Sequence, residues 1–97
     1  MFTLLFTSEA LKNLNRFKED PGQNQRYKAV KKTIEFLAAN PRHPGLQTHE
    51  YLSLLGPDKE KVFEAYAQQA TPAAYRVFWY YGPGKGVITI VAITPHP

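Results

Sequence analysis

The stretch AYRVFWYYGPGKGVITIVAITPHP, residues 74–97, carries the strongest structural signal in the chain. Two runs, YRVFWYY (75–81) and VITIVAI (87–93), are rich in aromatic and β-branched residues and flank GPGKG, whose glycines take backbone angles that other residues resist. The pattern predicts a β-hairpin. A period of two puts Tyr75, Val77, Trp79 and Tyr81 on one face of the first strand and Arg76, Phe78 and Tyr80 on the other. Both faces are apolar-rich, as expected when helices cover one face and the other forms a concavity.

Working outward, VFEAYAQQ (62–69) reads as a further strand, and MFTLLFT at the start of the chain alternates with Phe2, Leu4 and Phe6 on one side. Ser8 offers an N-cap for a helix to about Asp20, with Leu11, Leu14 and Phe17 at helical spacing and Pro21-Gly22 as its stop. A second helix starts near Asn24. Tyr27, Val30, Ile34 and Leu37 form its apolar stripe, Lys28, Lys31, Lys32 and Glu35 its wet face, and Asn40-Pro41 its end. Between Pro41 and Lys61 proline, glycine and charge punctuate the chain, but Leu46, Tyr51, Leu52, Leu54 and Leu55 pin it down as an ordered connection with one short turn or strand. Two consecutive helices cannot bury both stripes on each other and leave a sheet bare. The expected fold is therefore α+β, of order βααβββ, with two N-terminal helices on one face of a small, mostly antiparallel sheet.

A chain of 97 residues has room for one core, and residues 1–97 are expected to form a single domain. No apolar run approaches the roughly 18 residues that cross a bilayer, and MFTLLFTSEALK lacks a charged leader and a cleavage site. The expectation is a cytoplasmic protein without a membrane partner. With no cysteine, disulfides and thiolate metal ligation are excluded. The net charge of +4 comes wholly from residues 1–45, which hold eight Lys or Arg against four Asp or Glu. Such a basic face fits nucleic acid, ribosomal surfaces or an acidic protein, and equally a solvated lysine-bearing helix.

Arg76 on the open face, with Phe78 and Tyr80 beside it, is a combination suited to holding a phosphate while bases stack alongside. The structural alternative is an arginine paired with Glu64 of the neighbouring strand and lying over Tyr80. His43, His49 and His96 are the first places to seek a general acid or base. His43, between Arg42 and Pro44, reads as surface loop; His49 as a site residue at the sheet edge or a loop anchor; His96 follows directly from the last strand. No spacing supports a metal site, and no cofactor motif is present.

The order βααβββ, the AYRVFWYY strand and the final strand ending IVAITPHP together resemble the RelE/ParE superfamily of toxins from bacterial type II toxin–antitoxin systems, over nearly the whole chain. The resemblance implies one of two activities: ribosome-dependent cleavage of mRNA by attack of the 2′-hydroxyl on the adjacent phosphate, without a metal, or non-enzymatic inhibition of DNA gyrase. An inactive member serving as a protein-binding module is a third. In the RNase branch Arg76 stands at the position of the phosphate-binding catalytic arginine and His96 at that of a C-terminal acid or base. The pattern departs at Pro97, where the YoeB-like subgroup has tyrosine, at VFEAYAQQ, which lacks lysines, and at HPGL, which occupies the place of an upstream carboxylate. His43, His49 or Glu50 would substitute for that carboxylate. The implied partners are a cognate antitoxin, the ribosome and mRNA, or gyrase in the second branch. Lys28, Lys31 and Lys32 would face the antitoxin's tail or ribosomal RNA.

Overall fold

Thr7, not Ser8, starts the first helix. In the computed structural model, which describes residues 1–68 and 74–95, its Oγ1 accepts a hydrogen bond from Ala10 N at 3.1 Å and satisfies one of the otherwise orphaned N–H groups of the first turn. Strand β1 (Thr3–Phe6) leads into helix α1 (Ser8–Glu19). A 3₁₀ turn, Pro21–Gln23, joins this to α2 (Asn24–Ala39), which ends as expected at Asn40. The α1 stripe is displaced from the one expected: Ala10, Asn13 and Phe17 are buried, while Leu11 is exposed. At 3.6 residues per turn, 10, 13, 14 and 17 share a face, and Leu11 lies about 100° off it.

The connection after α2, expected to hold one short turn or strand, contains both. Pro44–Leu46 is a 3₁₀ turn, and His49–Leu55 is strand β2, an added edge strand that makes the order βααββββ. It pairs antiparallel with β3 (Lys61–Tyr66), which pairs with β4 (Tyr75–Tyr81), which pairs with β5 (Val87–Pro95). Strand β1 joins β5 in parallel, giving the order β1-β5-β4-β3-β2. The β4–β5 turn uses Gly82 at φ 117° and Gly84 at φ 84°, the left-handed conformations anticipated for GPGKG.

The helices cover one face. Ala10, Phe17, Val30 and Leu37 pack on Val77, Trp79, Ile88, Ile90 and Ile93. The β4–β5 register shifts between Phe78 and Trp79, and the polar groups of that irregular stretch are met from α1. Ile93 N donates to Asn13 Oδ1 at 2.9 Å, and Thr7 Oγ1 donates to Val91 O at 2.6 Å. Those bonds explain why a polar Asn13 occupies a buried helical position. The alternation read for β4 places Val77 and Trp79 toward the helices and Arg76, Phe78 and Tyr80 away from them.

Candidate functional site

The helix-free face brings three strands' polar side chains together. Strand pairing sets His49 of β2 opposite Glu64 of β3, and Tyr66 of β3 opposite Arg76 of β4. Because side chains two apart share a face, Glu64 and Tyr66 stand side by side. His49 Nε2 lies 2.6 Å from Glu64 Oε1; the histidine side chain is 49% exposed and the glutamate 1%. The His49 ring meets the Tyr66 ring edge-on at 5.6 Å, and the Arg76 guanidinium lies over the Tyr66 ring at 3.8 Å. Tyr66 thus lies between the His49–Glu64 pair and a cation.

Arg76 is 8% exposed. Its Nη1 donates to Gln68 O at 2.9 Å and to Tyr75 O at 3.3 Å, while its buried Nε has no hydrogen-bond partner. Gln68 also accepts from Arg26 Nε at 3.1 Å, and Arg26 stacks on Tyr75 at 4.5 Å, so a second guanidinium from α2 flanks this end of the sheet. The structural alternative expected for Arg76 placed it beside Glu64 and over Tyr80. It does lie over an aromatic ring, but over Tyr66 across the strand pair and not over Tyr80, and the ion pair shown for Glu64 is with His49.

Phe78 and Tyr80, expected as base-stacking rings, are 5% and 7% exposed. They form a second small core with Val62, against which Tyr51, Val91 and Ala92 pack, and Tyr51 lies edge-on to Phe78 at 4.9 Å. Tyr51 of β2 and Val91 and Ala92 of β5 supply that cover, so these rings have little free face for a base. Tyr51 and Tyr66, each partly exposed, are the aromatics this face presents. Lys28, Lys31 and Lys32 are exposed on α2, and Lys32 lines a cleft that Tyr66 of the cluster also lines. His43 stacks on Phe36 at 4.5 Å and its Nδ1 accepts from Gly45 N, capping the 3₁₀ turn. It is a half-buried loop fastener. His96 lies outside the described residues, and among the described residues no group of three His, Asp or Glu is placed to hold a metal.

Glu64, Tyr66, Gln68 and Arg26 are the members of this site that the sequence did not single out as functional. Alternation in VFEAYAQQ puts Glu64 and Tyr66 on one face. Their partner His49 comes from a strand that the sequence left inside a connection.

The arrangement can bind an anion and move a proton. A carboxylate that holds one imidazole nitrogen orients the ring, and the other nitrogen of His49, Nδ1, lies 3.3 Å from the carbonyl oxygen of Gln47. Arg76 supplies a fixed positive charge across Tyr66 from it.

No family model and no curated protein matches the sequence. Solved structures do match. A YoeB/ParE toxin from Agrobacterium tumefaciens superposes with a TM-score of 0.71 at 9% identity, covering 98% of this chain and 99% of that one. The RelE–RelB complex of Pyrococcus horikoshii gives a TM-score of 0.66 at 17% identity, with 97% and 93% coverage, and the RelBE toxin–antitoxin complex of E. coli gives 0.65 at 13%, with 100% and 99%. Each neighbour spans the same two helices and sheet, and this chain has the fold of the RelE/ParE toxins.

Proposed function

We propose that the chain is the toxin of a type II toxin–antitoxin pair and acts as a ribosome-dependent mRNA endoribonuclease. The observation that carries the reading is the convergence of His49, Glu64, Tyr66 and Arg76, from three strands, on the face that the helices leave open. In the proposed reaction the 2′-oxygen of the RNA forms a bond to the adjacent phosphorus and the bond to the 5′-oxygen breaks, giving a 2′,3′-cyclic phosphate and a free 5′-hydroxyl. His49, held by Glu64, takes the 2′-hydroxyl proton. Arg76 is assigned the charge that builds on the phosphorane oxygens. His96 is proposed to protonate the leaving 5′-oxygen. The RNA supplies its own nucleophile, and no role is assigned to a metal.

The antitoxin partner is part of the same proposal, since structures with this fold include toxin–antitoxin complexes from Pyrococcus horikoshii, E. coli and Staphylococcus aureus. A flexible antitoxin segment folding over the toxin would find a basic surface on α1 and α2.

One feature favours a second reading, a non-enzymatic gyrase inhibitor: much of Arg76's hydrogen-bonding capacity is spent on the backbone carbonyls of Gln68 and Tyr75. Induced expression without antitoxin, with pulse-labelling of protein and DNA synthesis, separates the two. The RNase reading expects protein synthesis to stop first and both Arg76→Ala and His49→Ala to be harmless. DNA synthesis stopping first would replace it with the gyrase reading.

A further inference from the structure

Two cations of α2 reach the end of the sheet where Arg76 stands. Gln68, just past β3, fixes the first of them. Its Oε1 accepts from Arg26 Nε at 3.1 Å and from Tyr75 N at 3.2 Å, while its carbonyl oxygen accepts from Arg76 Nη1 at 2.9 Å. One glutamine therefore holds two guanidiniums. Arg26 Nη1 also donates to Gln23 Oε1 at 2.9 Å, and its guanidinium lies 4.5 Å from the centre of the Tyr75 ring, so this partly exposed side chain has a set position. Those two bonds use two of its five N–H donors.

The second cation is Lys32. Six residues on, it stands about 9 Å further along the helix axis. It lines a cleft of about 280 Å³ with Tyr66 and Ala67, at the end of β3, and its Nζ lies 5.6 Å from the centre of the Phe36 ring. Lys31 is turned about 100° around the helix from it and does not line this cleft. Among the described residues neither Arg26 nor Lys32 pairs with a carboxylate; the two ion pairs there are His49–Glu64 and Lys61–Glu50. Cations gathered without counter-ions attract an anion, and three of them spread along one rim of the sheet match a row of phosphates better than a single one.

We propose that Arg26 and Lys32 hold the phosphates on either side of the one assigned to Arg76, so that a single RNA strand crosses the ends of β3 and β4 along the flank of α2. The inference rests on the nuclease reading and adds to it the course of the substrate strand and two binding residues from a helix.

A hexamer of 2′-O-methyl uridylate carries the phosphates but no free 2′-hydroxyl, so it binds without being cut. Its binding to the full chain, read at low salt from the fluorescence anisotropy of an end label, is expected to weaken roughly fivefold in Arg26→Gln and in Lys32→Ala. Each change should also reduce the slope of log affinity against log salt by about 0.7. Arg26→Lys keeps the charge and should keep the slope, and Lys31→Ala should bind as the parent does. Lys32→Ala is an exposed change that does not threaten folding, so parent-like binding by that variant overturns the proposal. Equal losses in Lys31→Ala and Lys32→Ala reduce the effect to general charge and also overturn it. So does a parent that binds an acidic peptide but shows no binding of the hexamer at about 1 mM, which gives this flank to a protein partner. Cleavage is read separately, on ribosomes: a parent that binds the hexamer with the expected residue dependence yet leaves mRNA uncut loses the nuclease reading and keeps the strand's course.

Discussion

Glu64 shows how one buried carboxylate organises the helix-free face. At 1% exposure it has lost most of its hydration, and the His49 imidazole at 2.6 Å is one partner that it gained. Because His49 itself is half exposed, neutralising the glutamate leaves no charge buried on the other side. Glu64→Gln is therefore expected to cost only about 1 kcal/mol in denaturant melts. Under the proposed chemistry it removes the group that fixes the imidazole's tautomer, and RNA cleavage should fall by about 10²-fold in a reconstituted ribosome assay. Loss of stability without loss of cleavage would make the pair structural. The glutamate was visible in VFEAYAQQ as a polar residue in an apolar strand. Its partner was not, since β-pairing register is a long-range property that no local pattern encodes.

At the scale of elements, Thr7 ties α1 to the irregular stretch of β5. It caps the helix through Ala10 N and donates to Val91 O, so Thr7→Ala loses both bonds and is expected to cost about 2 kcal/mol, read from the shift in denaturation midpoint. The edge strand β2 behaves differently. Leu52 is 82% exposed on it, a position where an apolar side chain gains nothing from the core and invites pairing with another chain. Leu52→Lys should leave stability within about 0.5 kcal/mol of the parent and lower self-association in sedimentation at high concentration. β4 and β5 were legible because their runs are dense in aromatic and β-branched residues. β2 was only half legible: HEYLSLL lies between two Gly/Pro turns, and four of its last five residues reach solvent or its edge.

At the scale of the whole molecule, the basic residues of α2 come up to the edge of the candidate chemistry. Lys28, Lys31 and Lys32 are exposed on α2, with Lys32 lining a cleft that also reaches Tyr66. Replacing all three by alanine is expected to leave the thermal midpoint nearly unchanged, to weaken ribosome binding, and to reduce the slope of log affinity against log salt by about 2. An unchanged slope would assign this face to another partner, the antitoxin first.

By itself the sequence determined the α+β class, the two helices and their stops, the β4–β5 hairpin and the face to which each β4 side chain belongs. These follow from periodicity, caps and turn chemistry, all of which act over a few residues. The tertiary structure alone decided that Asn13 is buried to satisfy Ile93, that Tyr51, Val91 and Ala92 pack against Phe78 and Tyr80, and that His49 meets Glu64 while Arg76 lies on Tyr66. Each of those depends on which strands become neighbours and in what register, and that is settled by the packing of the whole core.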